Sequence, residues 1–383
     1  MKVLIFHNVL WAHYKSILFD ELYNVSQQVD DFELLVCQIA KTEKSRLAMG
    51  NFDTSTIKYP YELIHDGIIE EVSLSTRTKG MINAIAKFKP DVVNVAGYYD
   101  LAFWAVTLYC KVKGIKVILS NESTANDHVR STLRELLKKI FVSQMNGFFN
   151  FGSLSSLYMV ELGAKPEQQL VNKSCVDNDT IRLIYNQEYT KGEQRKRQLH
   201  LSKHNFIFVG RLIPFKNLAF LLQAFKQAKA KCSSEWGLII LGDGEQKSEL
   251  ASIVSNEKIQ DVTFLPGVGW KEVPAYLALS DVLVLASYSE PWGLVVNEAM
   301  VCGMPVLVSE SCGCAPDLVQ NGKNGFTFNP HSIESLVEKL AYFMSNSDQI
   351  PTMGMVSEEI INSYTPKTVA EEMYAAFKKV LNK

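Results

Sequence analysis

Glu290 and Glu298 lie eight residues apart in the stretch SYSEPWGLVVNEAM (287–300), around Pro291 and Gly293. Pro and Gly favour a helix start at that point, with the first backbone N–H groups left free to meet an anion. If 290–298 were wholly helical, the second acid would stand about 12 Å along the axis and turn about 80° from the first. That exceeds the roughly 5–9.5 Å between two carboxylates that act on one glycosidic bond. It suits one acid beside a sugar and another beside a ribose, with a diphosphate between them. The spacing also describes a helix-start acid followed by a surface acid.

Other groups recur after strand-like runs. FIFVG ends at Gly210 and Arg211, with Lys216 five residues on, and LIILG ends at Gly242-Asp243-Gly244. Parallel strands would carry these groups and the 290–298 helix start to one edge of a sheet. An Arg fork, a Lys ammonium and a helix N-terminus together make a site for a dianion such as diphosphate. Taken singly, Arg211 and Lys216 read as surface charges, and Asp243 as a helix cap. Their shared position after successive strands is what carries the reading.

The elements that must hold these groups are legible as alternation. KVLIFHN, FELLVCQI, DVVNVAG, KVILS and GFFNFG read as buried strands, separated by amphipathic segments such as GMINAIAKFK. A basic stretch through Arg195-Lys196-Arg197 interrupts the pattern. The alternation restarts with FIFVGRL, GLIILGDG, VTFLPGV, DVLVLAS, PVLVSES and GFTFN. The predicted class is α/β, with two Rossmann-like doubly wound domains. The expected boundaries are 1–180, a linker over 181–204, and 205–365. A final helix over 366–383 is expected to pack back on the first domain. Ligands of such sheets bind beyond the carboxyl ends of the strands, so a cleft between the domains is the expected site.

Composition narrows the classes. The 383 residues are 47% hydrophobic and 21% charged, with a net charge of -2, as in an ordinary globular protein and unlike a general nucleic-acid binder. No apolar run approaches the roughly 20 residues that span a bilayer. The opening MKVLIFHN reads as a strand, with no signal-peptide cleavage site. Seven scattered cysteines suggest a reducing, cytoplasmic setting, and Cys312-Gly313-Cys314 has no second pair with which to hold zinc.

FVGRLIPFKN, LGDGEQKSEL and SEPWGLVVNEAMVCGMPVLVSESCGCAPDLVQNGKNG, in this order, resemble the donor-binding half of retaining glycosyltransferases of family 4, with the GT-B fold and a Glu-x7-Glu motif. The resemblance is close over about 205–330 and looser elsewhere. It implies that Arg211 and Lys216 hold the diphosphate of a nucleotide-sugar donor, with Gly210, Gly242, Asp243 and Gly244 around them. Glu298 would bind the ribose hydroxyls and Glu290 approach the transferred sugar. The amides around Trp292, Gly293 and Leu294 would meet phosphate and sugar. It implies no cofactor beyond the UDP- or GDP-type co-substrate, no metal, and a glycan or lipid-linked acceptor of polysaccharide or glycoconjugate synthesis. A related epimerase or phosphorylase, or an idle partner binding nucleotide sugar or glycan, would share the anion site.

The chain departs from that pattern in three places. HNVLWAHYKS stands where a Gly-Gly loop is common, Asn121-Glu122 where a His often follows the strand, and Gly313-Cys314 where Gly-Gly is usual. The first two fall on the acceptor side, where His7, His13, Glu122 and His128 are candidates for the cleft, although each taken singly reads first as a capping or core residue. Asp177-Asn178-Asp179 imitates a metal-holding D-x-D motif, and reads as a turn in the absence of a third hard ligand. RELLKKIFVSQM reads as a basic amphipathic helix, either packed with a solvated face or in peripheral contact with a membrane.

Overall fold

The computed structural model describes residues 1–44, 54–125, 131–232 and 235–382, and the chain divides into two compact units. Unit 1 takes in Met1–Cys175 and Thr365–Lys383. Its strands are β1 (Lys2–Val9), β2 (Glu33–Thr42), β3 (Tyr61–Ile68), β4 (Val92–Ala96), β5 (Lys116–Asn121), β6 (Gly147–Asn150) and β7 (Gln169–Asn172). All pair in parallel, in the order β3-β2-β1-β4-β5-β6-β7. Between them run α1 (His13–Gln28), α2 (Leu74–Phe88), α3 (Leu101–Val112), α4 (Thr132–Val142) and α5 (Ser153–Glu161). The β-branched strands bury both faces of the sheet, as a parallel sheet requires. One face packs on α2, α3, α4 and α5 through Met81, Phe103, Phe141 and Met159.

Unit 2 spans Val176–Tyr364. It opens with α6 (Asn178–Tyr189) and α7 (Gly192–Gln198), then runs β8 (His204–Val209), α8 (Leu218–Lys231), β9 (Trp236–Leu241), α9 (Lys247–Asn256), β10 (Val262–Leu265), α10 (Val273–Leu277) and β11 (Val282–Leu285). It continues with α11 (Leu294–Val301), β12 (Val306–Ser309), α12 (Ala315–Leu318), β13 (Gly325–Phe328), α13 (Ile333–Ser345) and α14 (Ile350–Ile361). The sheet is parallel, in the order β10-β9-β8-β11-β12-β13. In both units the strand order reverses beside the first strand, at β1/β4 and β8/β11, and a crevice opens at such a point.

The stretch expected as a linker over 181–204 is largely helical and belongs to unit 2. Glu188 pairs with Lys191 at 2.9 Å and Arg195 at 3.4 Å, and the Arg195 guanidinium lies 4.7 Å over the Tyr276 ring. Those contacts hold the basic run as a helix surface. The last helix, α15 (Pro366–Leu381), is part of unit 1. It covers the face of the sheet shared with α1 through Val369, Met373 and Phe377. Lys378 and Tyr374 both meet Asp31, at 2.9 and 2.7 Å. Among the described residues no helix is long and apolar enough to cross a membrane.

Candidate active site

In unit 2 the residues singled out in the sequence gather at the carboxyl edge of the sheet. The loops after β8 and β9 are pressed together: the Leu212 N–H donates to the Asp243 carbonyl at 2.9 Å, and the Gln246 N–H to the Leu212 carbonyl at 3.0 Å. Glycine is required there. A Cβ on Gly242 would lie 1.9 Å from the Gly210 carbonyl oxygen, and one on Gly244 2.4 Å from that of Leu212. Arg211 is exposed and has no ion pair among the described residues. The Asp243 carboxylate accepts from the Gly267 N–H at 2.6 Å and pairs with Lys247. Both bonds hold it below the usual carboxylate range. Asp243 is therefore a clamp on the loop after β10, where the sequence suggested a helix cap.

The loop after β11 carries the first acid. Its Tyr288 N–H donates to the Phe215 carbonyl at 2.9 Å, which ties it to the loop after β8. Lys216 and Glu290 form an ion pair, each side chain 17% exposed, and the Ser287 hydroxyl lies 3.4 Å from the same Glu290 oxygen. Glu290 to Trp292 run beside Cys312 to Cys314 as a short parallel bridge: the Gly313 N–H donates to the Glu290 carbonyl at 2.8 Å, the Cys314 N–H to that of Trp292 at 3.2 Å. A Cβ on Gly313 would meet the Pro291 carbonyl at 1.8 Å, so a residue other than Gly does not fit.

Gly293, at φ 102°, then turns the chain into α11, a conformation Gly adopts without a Cβ penalty. The first-turn amides of α11, at Leu294 and Val295, have no intrahelical acceptor. The Trp292 indole is buried beneath and donates to the Asn297 side chain at 2.8 Å, so this residue offers a ligand its backbone and not its ring. Glu298 lies part-buried one turn beyond Leu294, and burial raises its carboxyl to about 7.

Unit 1 holds a separate cavity of about 340 Å³ beyond the ends of its central strands. A row of asparagines lines it, Asn94 from the middle of β4 and Asn121 and Asn150 from the ends of β5 and β6. Asn94 donates to the Ile118 carbonyl at 3.1 Å, Asn121 to Ser155 at 2.7 Å, and Asn150 to Asn172 at 2.9 Å. Glu122 lies on the cavity wall and pairs with Lys15 at 3.3 Å, while the Lys15 ammonium sits 4.4 Å over the Phe151 ring. His7 also lines the wall. Burial, and secondarily Lys15, lower its pKa to about 4, so the ring is neutral at pH 7. Its Nδ1 lies 2.9 Å from the Val9 carbonyl, which assigns the hydrogen to Nδ1.

His13 begins α1 and is absent from the cavity wall, and His128 lies outside the described residues. Lys15 and the asparagine row were not read from the sequence. The asparagines had a signal, since each ends or interrupts an apolar strand run. Lys15 had none, because its partner Glu122 is remote in the chain. Asp177 of the D-x-D imitation caps α6, accepting from the Thr180 N–H at 3.1 Å. Among the described residues no group of three or more metal-ligating side chains occurs.

The profile of the family described as Glycosyl transferases group 1 matches residues 190–358. The chain is 26% identical over 315 residues to the sulfoquinovosyl transferase SQD2 of Arabidopsis thaliana, covering 77% of this chain and 59% of that one. It is 24% identical over 339 residues to the alpha-monoglucosyldiacylglycerol synthase of Acholeplasma laidlawii, covering 84% and 82%. The chain spans about half the length of several curated relatives it matches, 48% and 46% in two of them. The crystal structure of Anabaena HepE in complex with UDP is similar at a TM-score of 0.76 and 16% identity, covering 99% of this chain and 100% of that one. That likeness establishes the fold as GT-B, two Rossmann-like α/β units.

Proposed function

We propose that the chain is a retaining glycosyltransferase of family 4 that moves a sugar from a nucleotide diphosphate sugar to a glycan or lipid-linked acceptor. One observation carries this reading: Arg211, the Lys216–Glu290 pair and the first turn of α11 share one sheet edge. Those are positive groups around a place where a diphosphate would sit. As the glycosidic bond breaks, the leaving diphosphate gains charge. Arg211, Lys216 and the α11 amides stabilise that charge. Glu290, close to the same point, faces the positive charge that develops on the sugar. Glu298 receives the ribose hydroxyls as hydrogen bonds. The acceptor attacks from the face the diphosphate leaves, and the diphosphate takes its proton, so no protein base is needed.

The positive groups do the work a metal would otherwise do, and the reaction is read as metal-independent. The UDP bound in the HepE structure supports a UDP-linked donor, and the diacylglycerol in the name of the Acholeplasma relative supports a lipid-borne acceptor. The free thiols of all seven cysteines support a cytoplasmic setting. The deciding experiment incubates the protein with UDP- and GDP-sugars and follows donor consumption and product configuration by NMR. One donor should be consumed with its anomeric configuration kept. An inverted product rejects the retaining path, and no consumption of any donor rejects the reading.

A further inference from the structure

The outer faces of α3 and α4 are unlike the rest of the surface. On α3 the exposed side chains Leu101, Ala105, Leu108 and Val112 fall within an arc of about 60°. On α4 Leu133, Leu136, Leu137 and Ile140 fall within about 100°, opposite the buried Val142 and flanked by the buried Phe141. Leu108, Val112 and Leu133 are each more than 65% exposed, at 66%, 78% and 68%. The two helices are neighbours on one side of the unit 1 sheet, joined where Trp104 meets Phe141 with ring centroids 4.9 Å apart. Among the described residues no element of unit 1 covers the apolar face they form.

Its charge is one-sided. The exposed charged side chains of the two helices and the turn after α3 are Lys111, Lys113, Arg134 and Lys139, with no exposed carboxylate among them. Glu135, the acid on α4, is turned inward and held by Lys138 and Tyr158 at 2.9 and 3.1 Å. The chain as a whole has 41 acids to 39 bases, so this separation is local. We propose that the α3/α4 face docks on an anionic lipid bilayer, with the leucines in the headgroup boundary and the cations on the lipid phosphates. A second copy of the chain is a poorer occupant, since a two-fold contact would set this basic rim against itself. The face also reaches the cavity of unit 1, because exposed Tyr99, one of the residues lining that cavity, stands two residues before Leu101. The proposal holds whatever reaction the chain performs.

The test is flotation of the full chain with vesicles of phosphatidylglycerol and phosphatidylcholine in equal parts, and with phosphatidylcholine vesicles alone. Binding to the anionic vesicles and little to the neutral ones is expected, weakening as salt is raised. Reversing the charges in the double variant Arg134→Glu/Lys139→Glu should lower partitioning by about tenfold or more, at roughly 1 kcal/mol for each cation near the surface. Leu133→Ser and Leu137→Ser should each lower it, while Leu183→Ser and Met355→Ser, exposed leucine and methionine positions of unit 2, should leave it unchanged. All these side chains are exposed, and melting curves check that the variants fold. The proposal is overturned by no binding, by equal binding to both vesicles, or by variants that bind as wild type. It is also overturned if the leucine variants convert a dimer to a monomer and no vesicle is bound.

Discussion

Lys216 and Glu290, 74 residues apart in the chain, meet in one ion pair that joins the loops after β8 and β11. A diphosphate that reaches Lys216 has to share its ammonium with Glu290. On the proposed reading the pair would also hold an acid beside phosphate oxygens that would otherwise repel it.

Arg211→Ala and Lys216→Ala should each lower turnover with little loss of fold, by about 2–4 kcal/mol of transition-state stabilisation. Glu290→Gln should lower kcat more than it raises the donor KM, because the charge it removes is needed as the sugar becomes positive. Since Lys216 and Glu290 touch, their effects should not add: a double-mutant cycle should show a coupling of roughly 0.5–3 kcal/mol. Additive effects, or near wild-type turnover in the Arg211 and Lys216 variants, exclude this geometry from the mechanism.

Glu298 should make the protein sensitive to pH. Its carboxyl lies at about 7 in the folded chain, above its ordinary value, so the fold prefers the protonated form. That contribution to stability is fully present below the unfolded pKa and is lost as pH rises through about 7. Glu298→Gln should therefore melt higher than wild type at pH 8 and close to it at pH 5. Ribose hydroxyls donate to a carboxylate, so donor affinity should rise with pH across the same window, and the Gln variant should flatten that rise. At high pH Glu298→Ala should weaken donor binding by about 1.5–3 kcal/mol. Titration calorimetry and melting curves across the window read both effects, and flat profiles in wild type contradict them.

Activity should survive EDTA, since Arg211, Lys216 and the α11 amides supply the positive charge. Loss of turnover in chelator, restored by magnesium or manganese, would return Asp177-Asn178-Asp179 to consideration despite the cap Asp177 makes on α6.

Gly242→Ala and Gly313→Ala should both destabilise unit 2, because the new methyl meets a backbone carbonyl at 1.9 and 1.8 Å. Overpacking of this kind costs about 1–3 kcal/mol. Melting temperatures should fall in both variants, and an unchanged value in either shows that its loop can shift freely.

Lys15→Met should raise the pKa of His7 above its value of about 4, since the ammonium is among the influences that depress it. Burial remains, so the ring should stay below its ordinary value. Imidazole chemical shifts followed against pH report this directly, and a pKa that does not move shows that Lys15 has no influence on the ring.

Much of this fold is written in runs of β-branched residues, and all six strands of unit 2 are visible that way. The strands that escaped explain themselves. β3 reads YELIHDGI and is an edge strand with no fully buried side chain, so no apolar run marks it. β7 reads QLVN and buries a single side chain fully, Val171. The stretch 181–204 reads as a linker because α7 is polar and basic and is held by ion pairs, while α6, which packs on α10 and α11, fully buries only Ile181 among its apolar side chains. In the candidate site, the gathering of residues after successive strands follows from parallel topology alone. The Lys216–Glu290 and Lys15–Glu122 pairs do not, because local periodicity cannot show which loops touch. Asp243 reads as a cap for a similar reason: its partner Gly267 follows the next strand.

The return of α15 to unit 1 bears on the order in which the protein can be made. Val369, Met373, Phe377 and Val380 fill one side of the first sheet, yet the whole of Val176–Tyr364 is translated before them. At ribosomal speeds that is a wait of roughly ten seconds or more. During it the apolar sheet face of the nascent first unit is covered by α1 alone, while the second unit can already fold. The amino-terminal half of this chain is therefore the last to be finished, and the interval is when a chaperone has most to hold.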